Sequence, residues 1–368
     1  MNSEKKATPF QFRHIKCPMC EFVSIFKTLK PSSFVEKEFA IDTKPIVSSI
    51  LVKGYEGLVP RHYRIAKCVE CSWASDLLTF EDPVSGTNIP TKTLKAAINM
   101  ARERVPDKDV LAFLGKGIGA NDSVPYSLIE VLKLHLLACK NLAVVPELEE
   151  KDPYHLARFA LRTAWVLEDI KDSKGEATIK TQEIFLRIEK GWKGLPNCAT
   201  SFRDWAYRLY EKSLTASRVI QTSKDEVDLI LLLARLDMAK GDFVSAKKRI
   251  KYAKGRTEEH ESTVKTEYNE LLKVNEDQAS KLRAEGMAEV RRMSIASDDL
   301  EKLHKRHADA FAKQEMDHAM SLISGIDGSN EGTVTRILTE AGISSTTISD
   351  ILSRGKKEKK GVFSWLSK

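Results

Sequence analysis

The chain has 368 residues, of which 42% are hydrophobic and 30% charged, and its net charge is +7. That length suits two or three folded units, and the modest positive charge permits an acidic partner without selecting nucleic acid or a membrane surface. Six cysteines are too few for a disulfide scaffold, no apolar run is long enough to cross a bilayer, and MNSEKKATPFQF lacks the apolar core of a secretory signal. The expectation is a cytoplasmic protein whose thiols are reduced unless they bind metal.

Residues 13–80 hold short runs rich in β-branched and aromatic residues, EFVSIFKTL, SILVKGY and HYRIAKC, which suit a small module of strands. Two cysteine pairs lie within it: Cys17 and Cys20 in HIKCPMCEF, and Cys68 and Cys71 in KCVECSW. Each pair can be a redox dithiol, half of a metal site, or two buried thiols. A thioredoxin-like pair opens a helix after a strand in a βαβ unit, and neither pair has that setting. Two thiolates three residues apart converge from one turn, and two such turns complete a tetrahedral shell with sulfur about 2.3 Å from zinc. The 47 residues between the pairs exceed the spacing of compact zinc motifs. Loop-closure entropy grows slowly with length, so an insert with its own strands is tolerated. The expected site is therefore one structural Zn2+ per chain on Cys17, Cys20, Cys68 and Cys71, a closed shell with no position for a catalytic water. His14 and His62 lie near the pairs and are alternative donors, more commonly packing residues in such turns.

Residues 81–125 read as a linker with one helix, TKTLKAAINMARERV, between EDPVSGTNIP and GKGIGANDSVP. GKGIGAND lacks the Gly-Lys-Ser/Thr ending of a phosphate loop and is read as a connection.

Residues 126–272 turn helical. Leu128, Leu132, Leu136 and Cys139 share one helix face, and Asp152 with Pro153 marks the start of the next helix. Cys139 and Cys198 are expected in the core. Trp165, Trp192, Trp205, Tyr207 and Tyr210 are read as packing residues, with a peptide-binding groove as the alternative. VDLILLLARLDMAKGDFVSAKKRIKYAKG divides into two helices around Gly241 and Asp242, the second ending at Lys254. Small Ala234 and Ala246 let the helices approach, with Leu232, Leu236, Val244 and Ile250 in the seam. The pair resembles a tetratricopeptide (TPR) repeat, and residues 157–188 are a weaker copy.

The CPMC and CVECSWA turns, the HYRIAKC strand and the helical pairs after them resemble the bacterial family called domain of unknown function 2225, over residues 13–255. That resemblance implies a zinc-ribbon-like head, a helical-repeat body, and metal ligands at Cys17, Cys20, Cys68 and Cys71, with no agreed activity. The family usually has glycine after the second cysteine of each pair. Here those positions are Glu21 and Ser72, where a left-handed turn is harder to form.

Residues 273–329 are read as a charged helix and linker, with His304, His307 and Asp309 on a solvated face. Residues 330–368 form a short helical pair and a basic, then apolar, tail. ILTEAGISSTTISDILSRGKK follows a helix-turn-helix pattern, with Gly342 at the turn and Ile343, Ile348 and Ile351 in the seam. In that reading Ser345, Thr346, Thr347 and Ser349 face bases, and Arg354, Lys356 and Lys357 contact phosphates. In the tail KKEKKGVFSWLSK the lysines, with Val362, Phe363, Trp365 and Leu366, suit weak peripheral membrane contact, and equally a disordered terminus or a partner-docking peptide.

The fold class expected is α+β, mainly α: a small zinc-ribbon-like β module followed by a TPR-like helical body. No catalytic constellation is visible. The function expected is a non-catalytic, zinc-stabilised scaffold or adaptor that binds a protein partner through its helices. The alternative is a nucleic-acid-binding regulatory protein using the zinc module and the C-terminal helical pair. The sequence sets no oligomeric state.

Overall fold

The computed structural model describes residues 8–83, 90–105, 107–118, 126–173, 175–216, 220, 222–323 and 331–357. Among the described residues six strands form three separate antiparallel hairpins: β1 (Phe10–Lys16) with β2 (Val23–Leu29), β3 (Phe34–Phe39) with β4 (Pro45–Ile50), and β5 (Ile65–Lys67) with β6 (Ala74–Asp76). The tips of the first and third hairpins are the two cysteine turns, because Lys16 pairs with Val23 and Lys67 with Ala74. The middle hairpin is part of the long insert between them.

Helices make up the rest: α1 (Thr91–Glu103), α2 (Asp107–Gly115), α3 (Leu128–Ala143), α4 (Pro146–Lys151), α5 (Tyr154–Ser173), α6 (Glu176–Glu189), α7 (Ala199–Ala216), α8 (Ser223–Ala239), α9 (Phe243–Leu272), α10 (Glu276–Ile323), α11 (Glu331–Glu340) and α12 (Ser345–Lys357). The fold is α+β and mainly α. No helix among the described residues is long and apolar enough to cross a membrane.

Local chemistry fixes several helix starts. Ser127 and Glu130 form a capping box on α3, Thr222 and Asp225 another on α8, and Asp242 accepts the Ser245 N–H to start α9. The turn from α8 to α9 uses Gly241 at φ +82°, a conformation that glycine adopts without a Cβ penalty. Ala234, Ala246 and Ile250 are buried in the core between these helices, as expected, whereas Leu236 and half-buried Leu232 pack into the other core, on the far side of α8. Val244 is not in the seam and stays 67% exposed. The buried stripe of α9 runs through Ala246, Ile250 and Ala253, and Val244 lies two residues away from it on the opposite side.

The helix α9 also runs past its expected end at Lys254 to Leu272. Gly255 keeps an ordinary helical backbone, and no proline follows to stop propagation. The extension packs antiparallel along α10: Lys254 reaches Asp298 and Glu301, His260 faces Glu289 at 3.6 Å, and Arg283 stacks on the Tyr268 ring at 4.8 Å. His304 does not join a solvated face. Its Nε2 meets the Phe243 carbonyl at 2.7 Å and its ring packs edge-on to Phe243, whereas His307 and Asp309 are exposed.

One core runs without a break from Ile15 and Trp73 in the strand module to Leu236 in α8. Cys139 is part of it, but Cys198 is exposed ahead of α7, bonded to Ser201 at 3.0 Å. A second core joins α8, α9 and α10, and a third joins the end of α10 to α11 and α12.

Charged contacts fasten the strand module to one face of α5. Asp169 takes Arg61 at 2.6 Å, Lys44 at 2.9 Å and His62 at 3.3 Å. Asp42 accepts from Trp165 Nε1 at 3.2 Å and Arg203 Nε at 3.0 Å, and Arg203 also reaches Glu168. Arg158 and Arg162, about three and two turns before Asp169 on α5, grip Asp76 of β6.

Two outcomes follow from these contacts. A Cβ at Gly286 meets the Val264 methyl carbons at 2.7 and 2.8 Å, so α9 and α10 touch there through a missing side chain. Gly286→Ala gains helix propensity, yet overpacking of about 1–3 kcal/mol outweighs it, and Val264→Ala in the same chain restores part of the loss in a urea-unfolding cycle. Burial works to raise the Asp169 pKa, but His62, Arg61 and Lys44 override it and hold the carboxyl well below the usual range. Its stabilisation is therefore complete above the unfolded carboxyl value of about 3.9 and fades as pH falls below it. Asp169→Asn costs about 3–5 kcal/mol at neutral pH, and the gap to the unsubstituted protein narrows below about pH 4 in the same unfolding assay.

Candidate metal centre

The two cysteine turns are built alike. In the first, the Cys17 N–H donates to the Phe22 carbonyl and the Glu21 N–H to the Cys17 carbonyl, both at 2.9 Å. In the second, the Cys68 N–H donates to the Trp73 carbonyl at 2.7 Å and the Ser72 N–H to the Cys68 carbonyl at 3.0 Å. Closing such a turn sends the residue after the second cysteine into the left-handed region. Glu21 sits there at φ +64° and Ser72 at φ +56°, the two positions where glycine was expected.

The turns meet face to face. Cys17 Sγ lies 3.6 Å from Cys71 Sγ, and Cys20 Sγ lies 3.6 Å from Cys68 Sγ. All four sulfurs fall within 4.8 Å of one another. A tetrahedral thiolate site with metal–sulfur bonds of about 2.3 Å has edges of about 3.8 Å, so the four donors fit one ion. Cys17 and Cys68 are fully buried, and Cys20 and Cys71 keep exposed surface. Neither histidine joins them: His14 is exposed on β1, and His62 is committed to Asp169.

Polar groups surround the two turns. The Ser24 hydroxyl points at Cys68 Sγ from 3.8 Å, and Arg102 of α1 donates to the Cys71 carbonyl at 2.7 Å. Lys16 and Lys95 flank the Glu21 carboxylate at 3.3 and 3.8 Å. The thiols are unequal. The hydrogen bond to Cys71 and then burial push the Cys17 thiol up, while the same bond, helped by Arg102, brings Cys71 down to about 4. A bound cation displaces the remaining protons, so acid opposes metal binding.

Packing locks the second turn to the helices. Trp73 is fully buried, and Gly115 at the end of α2 abuts Ser72 so closely that an added Cβ would lie 2.9 Å from its hydroxyl. Sequence spacing identified the four sulfurs but not Ser24, Arg102 or Gly115. Ser24 alternates correctly for an inward face of β2, a signal available beforehand. Arg102 and Gly115 depend on how α1 and α2 fold back.

The other candidates fare differently. In the C-terminal pair Gly342 takes φ +77°, and Ile343, Ile348 and Ile351 are buried with Leu338. Thr347 does not face outward: it is buried and bonded to Glu315 of α10, whose carboxylate also receives the Ser344 N–H at 2.9 Å. The N-terminus of α12 thus already holds an anion. The side chains of Arg354, Lys356 and Lys357, and the tail from 358, lie outside the described residues. So do residues 119–122 of GKGIGAND. Gly115 ends α2 and Lys116 to Ile118 follow it, where carbonyls and not N–H groups point outward.

A family model described as an uncharacterized protein conserved in bacteria, DUF2225, matches residues 10–275, from the first strand through the end of the α9 hairpin helix. The chain belongs to that family. No curated protein matches, and neither does any solved structure.

The left-handed turns yield a direct outcome. Glu21→Gly and Ser72→Gly each raise stability by about 0.5–1 kcal/mol, and Ser72→Val lowers it, in urea unfolding of metal-loaded protein. The ion pairs of Glu21 with Lys16 and Lys95 are solvent-exposed, so their removal takes little away from that gain.

Proposed function

We propose that this member of the family is a non-catalytic cytoplasmic scaffold. One structural Zn2+ closes its head, and its TPR-like helical body docks a protein partner. Four thiolates suit zinc and fill its tetrahedral shell, which assigns the ion to folding and not to substrate activation. The ion would tie the hairpin tips together, and the Asp169 and Asp42 contacts would transmit that order to α5 and α7.

The observation that carries the docking reading is a groove of about 620 Å³ between α7, α8 and α9. Leu214 and Ile230 form its apolar floor, and Tyr252, 55% exposed, stands at its edge. Tyrosine half out of a groove supplies contact area at low entropy loss and is enriched among interface anchors. Lys248 lies exposed at the rim, and Arg249 is held rigid by Asp237 and Glu211. The chemistry suits a peptide with an apolar anchor followed by an acidic side chain.

Affinity purification of the intact chain, with metal analysis on the same sample, tests both halves. About one zinc per chain is expected, together with a co-purifying protein that is lost on Tyr252→Ala and on Lys248→Glu while zinc content is unchanged. Capture that both variants retain in full overturns the groove, and thiol-rich protein that holds no stoichiometric metal overturns the zinc assignment.

A further inference from the structure

At the far end of α2, beside the second cysteine turn, the chain gathers positive charge. Lys67 Nζ donates to the Gly115 carbonyl at 2.9 Å, and Lys133 Nζ to the Lys116 carbonyl at 2.5 Å. These two ammonium groups close the C-terminal carbonyls of α2, which accounts for their positions. It does not account for their neighbours. Arg187 of α6 lies 4.3 Å from the centre of the Phe113 ring, and Lys133 approaches the same ring at 4.9 Å. Lys116, Arg187 and Lys190 line a concavity of about 470 Å³ between α2 and α6, with Phe113 and Ile188 as its apolar wall and Asp109 as its carboxylate.

No ion pair joins Lys67, Lys116, Lys133, Arg187 or Lys190 to a carboxylate among the described residues. Their convergence is felt within the cluster: burial first, then Lys67, Arg187 and Lys116, push the Lys133 ammonium down, with Glu130 opposing. Three cations at the cavity wall against one carboxylate, Asp109, favour an anion that spreads several negative charges over a short length. The cavity has the size of small-molecule sites, which bury most of their ligand. Arginine offers the planar fork that matches phosphate oxygens.

We propose that the concavity between α2 and α6 binds a small polyphosphate anion. Inorganic polyphosphate and a nucleoside triphosphate share that chemistry, and the partly exposed Phe113, backed by buried Ile188, offers a base an apolar edge.

Isothermal titration calorimetry of the intact, metal-loaded chain with inorganic tripolyphosphate and with a nucleoside triphosphate tests the site. Binding of at least one probe is expected, weakened about tenfold or more by Arg187→Gln with Lys190→Gln and unchanged by Lys212→Gln on α7. Equal affinity for the two probes places recognition on the phosphates alone, and tighter nucleoside binding adds the apolar wall; either supports the site. All three substituted side chains are exposed, and thermal melting with metal analysis checks that the variants fold. No heat from either probe at about 1 mM overturns the proposal. So does affinity that the double variant keeps, or preference for a single-stranded oligonucleotide over both small probes, which points to nucleic acid instead.

Discussion

Two hairpin tips far apart in the chain have to meet for anything else in this molecule to be where it is. The meeting is made by sulfur: Cys17 against Cys71, Cys20 against Cys68. Such a contact cannot hold as four thiolates alone, since like charges at this spacing repel strongly in a partly buried site. Shared protons or a cation must intervene, and a divalent ion does so with better geometry than protons can. Around that point Trp73 and Phe26 become fully buried, and they give α1 and α3 a surface to pack on. Among the described residues the strand module has three separate two-stranded hairpins and no larger sheet, so its own ladders would be marginal. The sulfur contact and the shared core supply what the ladders lack.

The second fastening is electrostatic and runs along α5. Arg158, Arg162, Trp165, Glu168 and Asp169 share one face of that helix and together hold Asp76, Asp42, Lys44 and Arg61 of the strand module. Paired charges of this kind contribute little net stability compared with apolar packing, but they are intolerant of mismatch. An unpaired Asp169 or Arg203 would sit half-buried without compensation. The network therefore selects one docking of the strand module on the helices over its neighbours in register, which matters when β3 and β4 hang on a long insert.

Much of this was legible because the chemistry is local. Cysteine spacing named the sulfur cluster, and the absence of glycine at Glu21 and Ser72 correctly marked where the backbone turns left-handed. Gly342 and the isoleucines of the C-terminal pair, and the Ala234–Ala246 approach, depend on neighbours a few residues away and were readable for the same reason. What escaped was long-range. Nothing near Asp42 announces Arg203, more than 150 residues downstream. Val244 looked like a seam residue because its neighbours are, yet helical phase puts it outside. Thr347 looked like a base-reading residue until Glu315 folded against it. Gly286 and Val264 illustrate the limit well: each is unremarkable alone, and only their contact says why one is glycine.

The helix α8 shows how the parts are coupled. Leu229, Leu233 and Leu236 belong to the core that includes the strand module, while Val227, Ile230, Leu231 and Ala234 belong to the core shared with α9 and α10. Burial on both sides explains why its sequence is apolar nearly all round, LILLLA, where an edge helix would alternate. Near its end, buried Asp237 holds Arg249 of α9, which also reaches Glu211 of α7, so three consecutive helices are pinned at one point. The proposed docking groove opens beside that point. A ligand seated on Ile230 would touch the second core directly and the first through α8, so its binding would be felt by both. A groove at the edge of the α9–α10 arm could not report to the four-cysteine head in that way.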